Sequence, residues 1–343
     1  MEIKLYLNEK RKLIDSYLKS YFDAPSSPSV LREAMRYSIF AGGKRIRPIL
    51  ALTSYEACGR DPKNILPQAT ALELIHTYSL IHDDLPSMDN DELRRGKPTN
   101  HKVFGEAIAI LAGDALLTEA FLMMATTNPP HPPFTKGGDT GIRDILTKED
   151  IRGLSDETSP SPTPPPSRGR DRVGGSSDVK IKPASIIKTI QDVALSAGVY
   201  GMVGGQTQDI LSENTKPDRD TLEFIHLRKT AALIAASVRM GAILANASKP
   251  KLKALSEYGK NIGLAFQIVD DILDVEGTTE DLGKTAGSDI NKKKMTYPSL
   301  FGIEGARQKA KDLITMAINS LKIFSSGAEP LRNIAIYLIE RKA

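Results

Sequence analysis

Two stretches of the chain crowd carboxylates at the ends of apolar segments. In LELIHTYSLIHDDLPSMDNDELRRGKPTN (72–100), Asp83, Asp84, Asp89, Asp91 and Glu92 fall within ten residues, and Arg94, Arg95 and Lys97 follow at once. In FQIVDDILDVEGTTEDLGKTAGSD (266–289), Asp270, Asp271 and Asp274 close a second apolar run. Asp270 and Asp274 are four apart and share a helix face, where like charges repel unless a cation sits between them. Asp83 and Asp89 are six apart, a poor helical spacing. Pro86 and the two extra residues predict that the helix opens there and that Asp89 swings back. One such cluster alone reads as a solvated helix end. Two copies, each after a long apolar helix, read as paired sites for a hard cation. Mg²⁺ uses one or two carboxylates and completes its octahedron with water and phosphate oxygens. Two facing clusters would therefore hold a small set of Mg²⁺ ions with a diphosphate between them.

Cations accompany both clusters. AGGKRIRP places Lys44 and Arg47 three apart, predicting one helical face after a Gly-Gly turn. Arg pairs bidentately with phosphate, whereas Lys acts as a point charge. Lys229, Lys284 and Lys294 lie near the second cluster in sequence. His76 lies seven residues before Asp83, two turns back on roughly the same face, which suits a substrate contact. His82 reads as a core histidine. In VGGQTQD, Gly204 and Gly205 allow a close helix approach, and Gln206 and Asp209 could orient a metal site.

The elements that must position these residues are helical. AIAILAGDALLTEAFLMMA, TAALIAASVRMGAILANA and EYGKNIGLAFQIVDDILDV have helical periodicity and few breakers, and strand-like alternation is absent. Helices are predicted at 3–22, 29–41, 44–58, 64–85, 103–126, 183–203, 218–246, 250–276, 296–322 and 328–341. The class is all-α. At about 127–178 the composition changes: nine of the 21 prolines lie between Pro129 and Pro166. Proline resists helix and few apolar residues remain to bury, so this reads as a long disordered insertion in a loop of a single domain spanning 1–343. A proline-rich docking site is the functional alternative.

With 343 residues, 40% hydrophobic and 26% charged, the chain suits a soluble globular protein. A net charge of +4 is too weak to argue for nucleic acid. A single cysteine, Cys58, excludes a disulfide framework and a thiolate metal cluster, and suits a cytoplasmic setting. The N-terminus has no signal-type apolar core, and no run of 18 apolar residues predicts a membrane span.

These motifs resemble the trans-polyprenyl diphosphate synthases, the family of bacterial-type farnesyl and geranylgeranyl diphosphate synthases. SLIHDDLPSMDNDELRRGKPTNHKVFGE is similar to the family's first aspartate-rich motif in its DDxxxxD form, and FQIVDDILD to the second. GGKRIRP, AGDALL, VGGQTQD, RKTAAL and LGKTAGSDINKKKMTYP match in the expected order, so the resemblance covers nearly everything outside 127–180. It implies an isoprenoid-synthase-type helical bundle around a deep apolar cavity, with both motifs at its mouth. The implied reaction is condensation of isopentenyl diphosphate with an allylic diphosphate, dimethylallyl or geranyl, in a homodimer.

The resemblance also implies Mg²⁺, as three ions, with Asp83, Asp84, Asp89, Asp270, Asp271 and Asp274 as the metal set. Lys229, Lys284 and Arg94 match the grip on the allylic diphosphate, and Thr230 and Gln267 match dipoles beside the cation. Lys44, Arg47, His76 and Arg95 match the isopentenyl diphosphate site, and Lys294 joins the substrate-binding set. Tyr78, five residues and about 7 Å along the helix before Asp83, with small Ser79 after it, would form the floor that stops the product at farnesyl diphosphate. A C20 product is the alternative, and a non-catalytic subunit of a heteromeric synthase is the rival from another class. Terpene cyclases carry an Asn/Ser/Glu-type second motif, which this chain lacks.

Overall fold

The computed structural model describes residues 2–23, 28–126, 181–213, 215, 218–276 and 295–340. The parts of the chain on the two sides of 131–180 form one compact unit. The insertion expected at 127–178 lies outside the described residues.

Helix α1 (Ile3–Asp23) buries Ile14, Tyr17, Leu18, Tyr21 and Phe22, one apolar stripe at helical spacing. Helices α2 (Ser29–Ile39), α3 (Ile46–Ala57) and α4 (Leu66–Asp83) follow, the last two buried on nearly every side. After the first carboxylate cluster come α5 (Asn100–Phe104) and α6 (Glu106–Ala125). Beyond the insertion lie α7 (Pro183–Ala197), α8 (Met202–Leu211), α9 (Arg219–Ile225), a π-helical turn (His226–Ala231) and α10 (Ala232–Leu244). Helix α11 (Lys249–Glu276) ends in the second cluster, and α12 (Tyr297–Ser320) and α13 (Glu329–Glu340) close the chain. The core runs through α3, α4, α10 and α11: α4 packs on α6, α10 on α3 and α11, and α11 on α12.

The structure breaks four of the expected helices, the one expected at 296–322 being kinked at Gly302, which adopts φ 71°. The one expected at 103–126 starts earlier and is interrupted at Gly105, which adopts φ 82°. The one expected at 183–203 ends at Ala197, and the turn GVYG separates it from α8. The one expected at 218–246 contains the π-turn, and such turns are frequent at functional sites. A two-stranded hairpin also appears, β1 (Leu93–Arg94) with β2 (Lys97–Pro98). Its turn residues Arg95 (φ 53°) and Gly96 (φ 73°) are both left-handed, the form that joins two strands tightly. Two residues per strand are too few to show alternation in a sequence.

One helix bears on the expectation that no run of 18 apolar residues spans a membrane: α6 carries Asp114 and Glu119 within its apolar run. Helix α6 is long and apolar enough, by length and composition, to cross a bilayer. Its Ala109, Ala112, Leu116, Ala120, Met123 and Met124 are buried, and it packs mainly on α4.

Candidate active site

The first cluster is built by the way α4 ends. Asp83 is its last residue, and the chain then turns back so that the Asp89 N–H donates to the Asp83 carbonyl at 2.8 Å. Asn90, in the left-handed region, donates its N–H to the Leu85 carbonyl at 3.0 Å. Asp89 thus returns toward Asp83, as the spacing implied. Burial pushes the Asp83 carboxyl up to about 6; Lys229 and Arg94 oppose this, while Asp89 and Asp84 add to it. Asp84 is different. It is 3% exposed, and Arg94 grips it through Nε at 2.7 and 2.9 Å and through Nη2. Arg94 also approaches Asp91 at 3.5 Å. Its fork therefore lies on Asp84 in this arrangement.

The second cluster is held by a chain of hydrogen bonds. Thr230 Oγ1 donates to Gln267 Oε1 at 2.6 Å, and Gln267 Nε2 donates to Asp271 Oδ1 at 2.8 Å. The Tyr297 N–H donates to Asp271 Oδ2 at 2.9 Å. Asp271 and Asp274 are each 3% exposed, while Asp270 is half-buried. Lys229 Nζ donates to Asp209 Oδ2 at 2.6 Å, so VGGQTQD contributes a partner to the site lysine. The approach that Gly205 permits is real: a Cβ there would lie 2.2 Å from the Lys229 backbone nitrogen. Asp209, His226, Lys229, Thr230, Gln267 and Asp271 line one cavity of about 60 Å³. The sequence reading missed His226. Its Nε2 lies 3.4 Å from Asp271 Oδ2, and burial lowers its pKa to about 3, keeping the ring neutral. The signal that could have found it is its position three residues before Lys229, about one helical turn away. Lys284 and Lys294 lie outside the described residues.

A group of cations gathers beside α4. Burial takes the His76 pKa well below its ordinary value, and Arg47, Arg95, Arg94 and Arg45 depress it further, so His76 is a neutral ring amid arginines. The expected common helix face for Lys44 and Arg47 is not found. Helix α3 begins at Ile46, and Lys44 lies in the preceding turn, where Gly42, Gly43 and Arg45 all have positive φ. Arg47 enters with the helix, half-buried, and Lys44 is exposed. Arg95 donates through Nη1 to the Gly42 carbonyl, which ties the hairpin to this turn. His82 is half-buried rather than the core residue expected: Nε2 lies 3.0 Å from the Ile110 carbonyl oxygen, and the ring meets Tyr78 edge-on at 5.7 Å. Tyr78 is 7% exposed, and burial, then Asp83, pushes its pKa up to about 12. The Ser79 hydroxyl donates back to the His76 carbonyl at 2.9 Å.

The two halves of the chain meet here. Lys229 acts on Asp83, and Asp270 acts on Arg47, so each cluster faces a cation from the other half. Among the described residues, no three His, Cys, Asp or Glu side chains form a closed metal site. An open set of half-buried carboxylates suits Mg²⁺, which leaves most of its coordination to water and phosphate oxygens. Burial raises the Asp83 pKa most, and the repulsion that Asp89 and Asp84 add to it is what a divalent cation would relieve, so the donor set fits the metal.

Comparison with known proteins agrees with this geometry. The model of the polyprenyl synthetase family matches residues 28–145 and 180–324. A farnesyl diphosphate synthase of Geobacillus stearothermophilus is 42% identical over 90% of this chain and 88% of its own. A geranylgeranyl diphosphate synthase of Cyanophora paradoxa is 40% identical over 98% of this chain and 95% of its own. The crystal structure of a geranylgeranyl pyrophosphate synthetase from Pyrococcus horikoshii superposes with a TM-score of 0.75 at 31% identity, covering 99% of both chains. With the motifs in order, the all-α fold shared and the family model matched on both sides of the insertion, the chain belongs to the polyprenyl synthetase family.

Proposed function

We propose that the protein is a short-chain trans-prenyltransferase that condenses isopentenyl diphosphate with dimethylallyl and geranyl diphosphates, with farnesyl diphosphate as the product. The observation that carries this reading is that each carboxylate cluster lies within electrostatic reach of a cation from the other half of the chain. Farnesyl and geranylgeranyl diphosphate synthases both match at similar identity, so the reading of C15 over C20 rests on taking Tyr78 as the floor.

Asp83, Asp89 and Asp270, with Asp274, would hold Mg²⁺, whose chemistry when bound is to neutralise the charge of the diphosphate leaving group. Asp84 and Asp271 serve as anchors, since Arg94 holds the first while Gln267 and Tyr297 hold the second. Lys229 and Arg94 lie where they add charge to the allylic diphosphate site, and Lys284 and Lys294 are assigned to substrate by motif alone. Breaking the allylic C–O bond leaves a carbocation. The Thr230 hydroxyl and Gln267 amide, ordered by their mutual hydrogen bond, are dipoles set before the charge appears. Lys44, Arg47, Arg95 and neutral His76 bind isopentenyl diphosphate, whose double bond attacks the cation. The departing diphosphate takes the proton released from the new product, so no side-chain base is required.

We read the exposed apolar side chains of α6 and α7, among them Ile110, Leu111, Leu122, Ile187 and Leu195, as a homodimer contact. The test of the function is a product assay with Mg²⁺, labelled isopentenyl diphosphate and each primer. A dominant C15 alcohol after dephosphorylation supports the reading. A C20 product moves the floor away from Tyr78, and no condensation with any primer overturns the enzyme assignment.

A further inference from the structure

Arg45 stands in the turn Gly42-Gly43-Lys44-Arg45, and neither the proposed reaction nor the motif resemblance gives it a role. Its backbone is left-handed, φ 52° and ψ 34°, a conformation uncommon for a residue with a side chain. It is nevertheless the N-cap residue of α3, and its carbonyl accepts the first helical bond, from the Ile49 N–H at 3.0 Å. The side chain supplies the restraint. Nη1 donates to Glu73 Oε1 at 2.8 Å, Nε to Asp15 Oδ1 at 2.9 Å, and Nη2 to the Ile39 carbonyl at 2.7 Å. The Arg45 and Glu73 side chains are each 3% exposed, whereas Asp15 is 42% exposed.

One guanidinium therefore joins four elements: α1 through Asp15, the end of α2 through Ile39, the start of α3, and α4 through Glu73. Glu73 stands one turn before His76 on α4. Its charge also favours Arg47 and Arg95, which otherwise repel each other and Arg45. Lys44, within this locked turn, and Arg47, just after it, owe their direction to it, because a turn with two flexible glycines would not hold one direction unaided.

We propose that the network of buried Arg45 and Glu73 with exposed Asp15 is a positioning clamp for the isopentenyl diphosphate site, which locks the Gly42–Arg45 turn and so aims Lys44 and Arg47. It rests on the functional reading above. The clamp acts through geometry, and this sets it apart from a long-range charge effect. Arg45→Lys keeps the charge and loses the fork. Asp15→Asn removes a negative charge, which through space alone would strengthen the binding of an anion.

The experiment measures KM for isopentenyl diphosphate, KM for geranyl diphosphate and kcat in both variants, with melting temperature as the folding control. Calorimetric binding of isopentenyl diphosphate to each protein accompanies the kinetics. The clamp requires KM for isopentenyl diphosphate to rise about tenfold in Arg45→Lys and about threefold in Asp15→Asn, with KM for geranyl diphosphate and kcat moving less than about twofold. Equal rises at both substrates, or tighter isopentenyl diphosphate binding in Asp15→Asn, overturn the clamp and leave the enzyme reading standing. Where Arg45→Lys unfolds, the exposed Asp15 site carries the test alone. Failure of the unaltered protein to bind isopentenyl diphosphate overturns the functional reading, and the clamp with it.

Discussion

At the scale of single residues, the aspartates do not share one task. Asp83 and Asp89 are half-buried and crowd each other, whereas Asp84 and Asp271 already have both oxygens held by protein donors. Asp83→Asn should therefore act in opposite directions on stability and activity. In chelator-treated protein it removes one charge from a repelling group and should raise the melting temperature. With Mg²⁺ and both substrates, kcat should fall by about 10²-fold or more, as when a preorganised charge is lost from a transition state. A drop in both quantities would mean that Asp83 is a structural anchor like Asp84. Tyr78 offers a second test at this scale. Its ring is buried and meets His82 edge-on, and Tyr78→Ala should shift the dominant product from C15 to C20 or longer, read by chromatography of the dephosphorylated alcohols. An unchanged chain length would place the floor elsewhere. Much of this scale was legible in the sequence, because carboxylate spacing and flanking cations are themselves the chemistry. Arg45 was not legible: next to Lys44 and Arg47 it is one more cation, and only the fold shows its guanidinium held by Glu73, Asp15 and the Ile39 carbonyl.

At the scale of elements, the site depends on where helices stop. Helix α4 ends at Asp83, α11 ends just past Asp274, and the helical run from Arg219 to Leu244 widens into a π-turn that presents Lys229 and Thr230 together. Sequence periodicity found the long helices, since their buried stripes repeat at helical spacing. It could not find the π-turn, which changes the hydrogen-bond register without changing the pattern of apolar residues. Nor could it place the hairpin of Leu93–Pro98, whose strands are shorter than any period. The turn is held from outside by α8, where Gly205 packs against the Lys229 backbone. Gly205→Ala puts a methyl group where backbone already lies. It should cost about 1–3 kcal/mol of stability, the usual range for overpacking, and it should move Lys229 away from Asp209. We expect KM for the allylic primer to rise more than KM for isopentenyl diphosphate, since Lys229 serves the first site alone. Denaturant titration and two-substrate kinetics check both parts, and an unchanged stability would show that α8 can shift without strain.

At the scale of the whole molecule, the family match bears on the insertion: it stops at residue 145 and resumes at 180. Deleting 146–179 should therefore leave condensation within about threefold of the full chain, in the range of surface changes remote from chemistry. A greater loss would give the insertion a part in the active protein.

The outer apolar side chains of α6 and α7 make a separate demand. A helix apolar all round is normally covered on every side, yet Ile110, Leu111 and Leu122 on α6 are 43%, 52% and 42% exposed, and Ile187 and Leu195 on the adjacent α7 are 58% and 56% exposed. Helix α6 is also the neighbour of α4, with His82 against its backbone, so whatever covers its outer face supports the helix that carries Tyr78 and Asp83. A second copy of the chain is the cover proposed here. Light scattering should then give twice the chain mass, and Leu111→Glu should weaken self-association at least about tenfold, because a carboxylate would be buried without a partner. The monomer so produced should melt earlier and lose activity, and both should recover as protein concentration is raised. A full-length protein that is monomeric and active at micromolar concentration would remove this account and leave the exposed faces of α6 and α7 to a different cover.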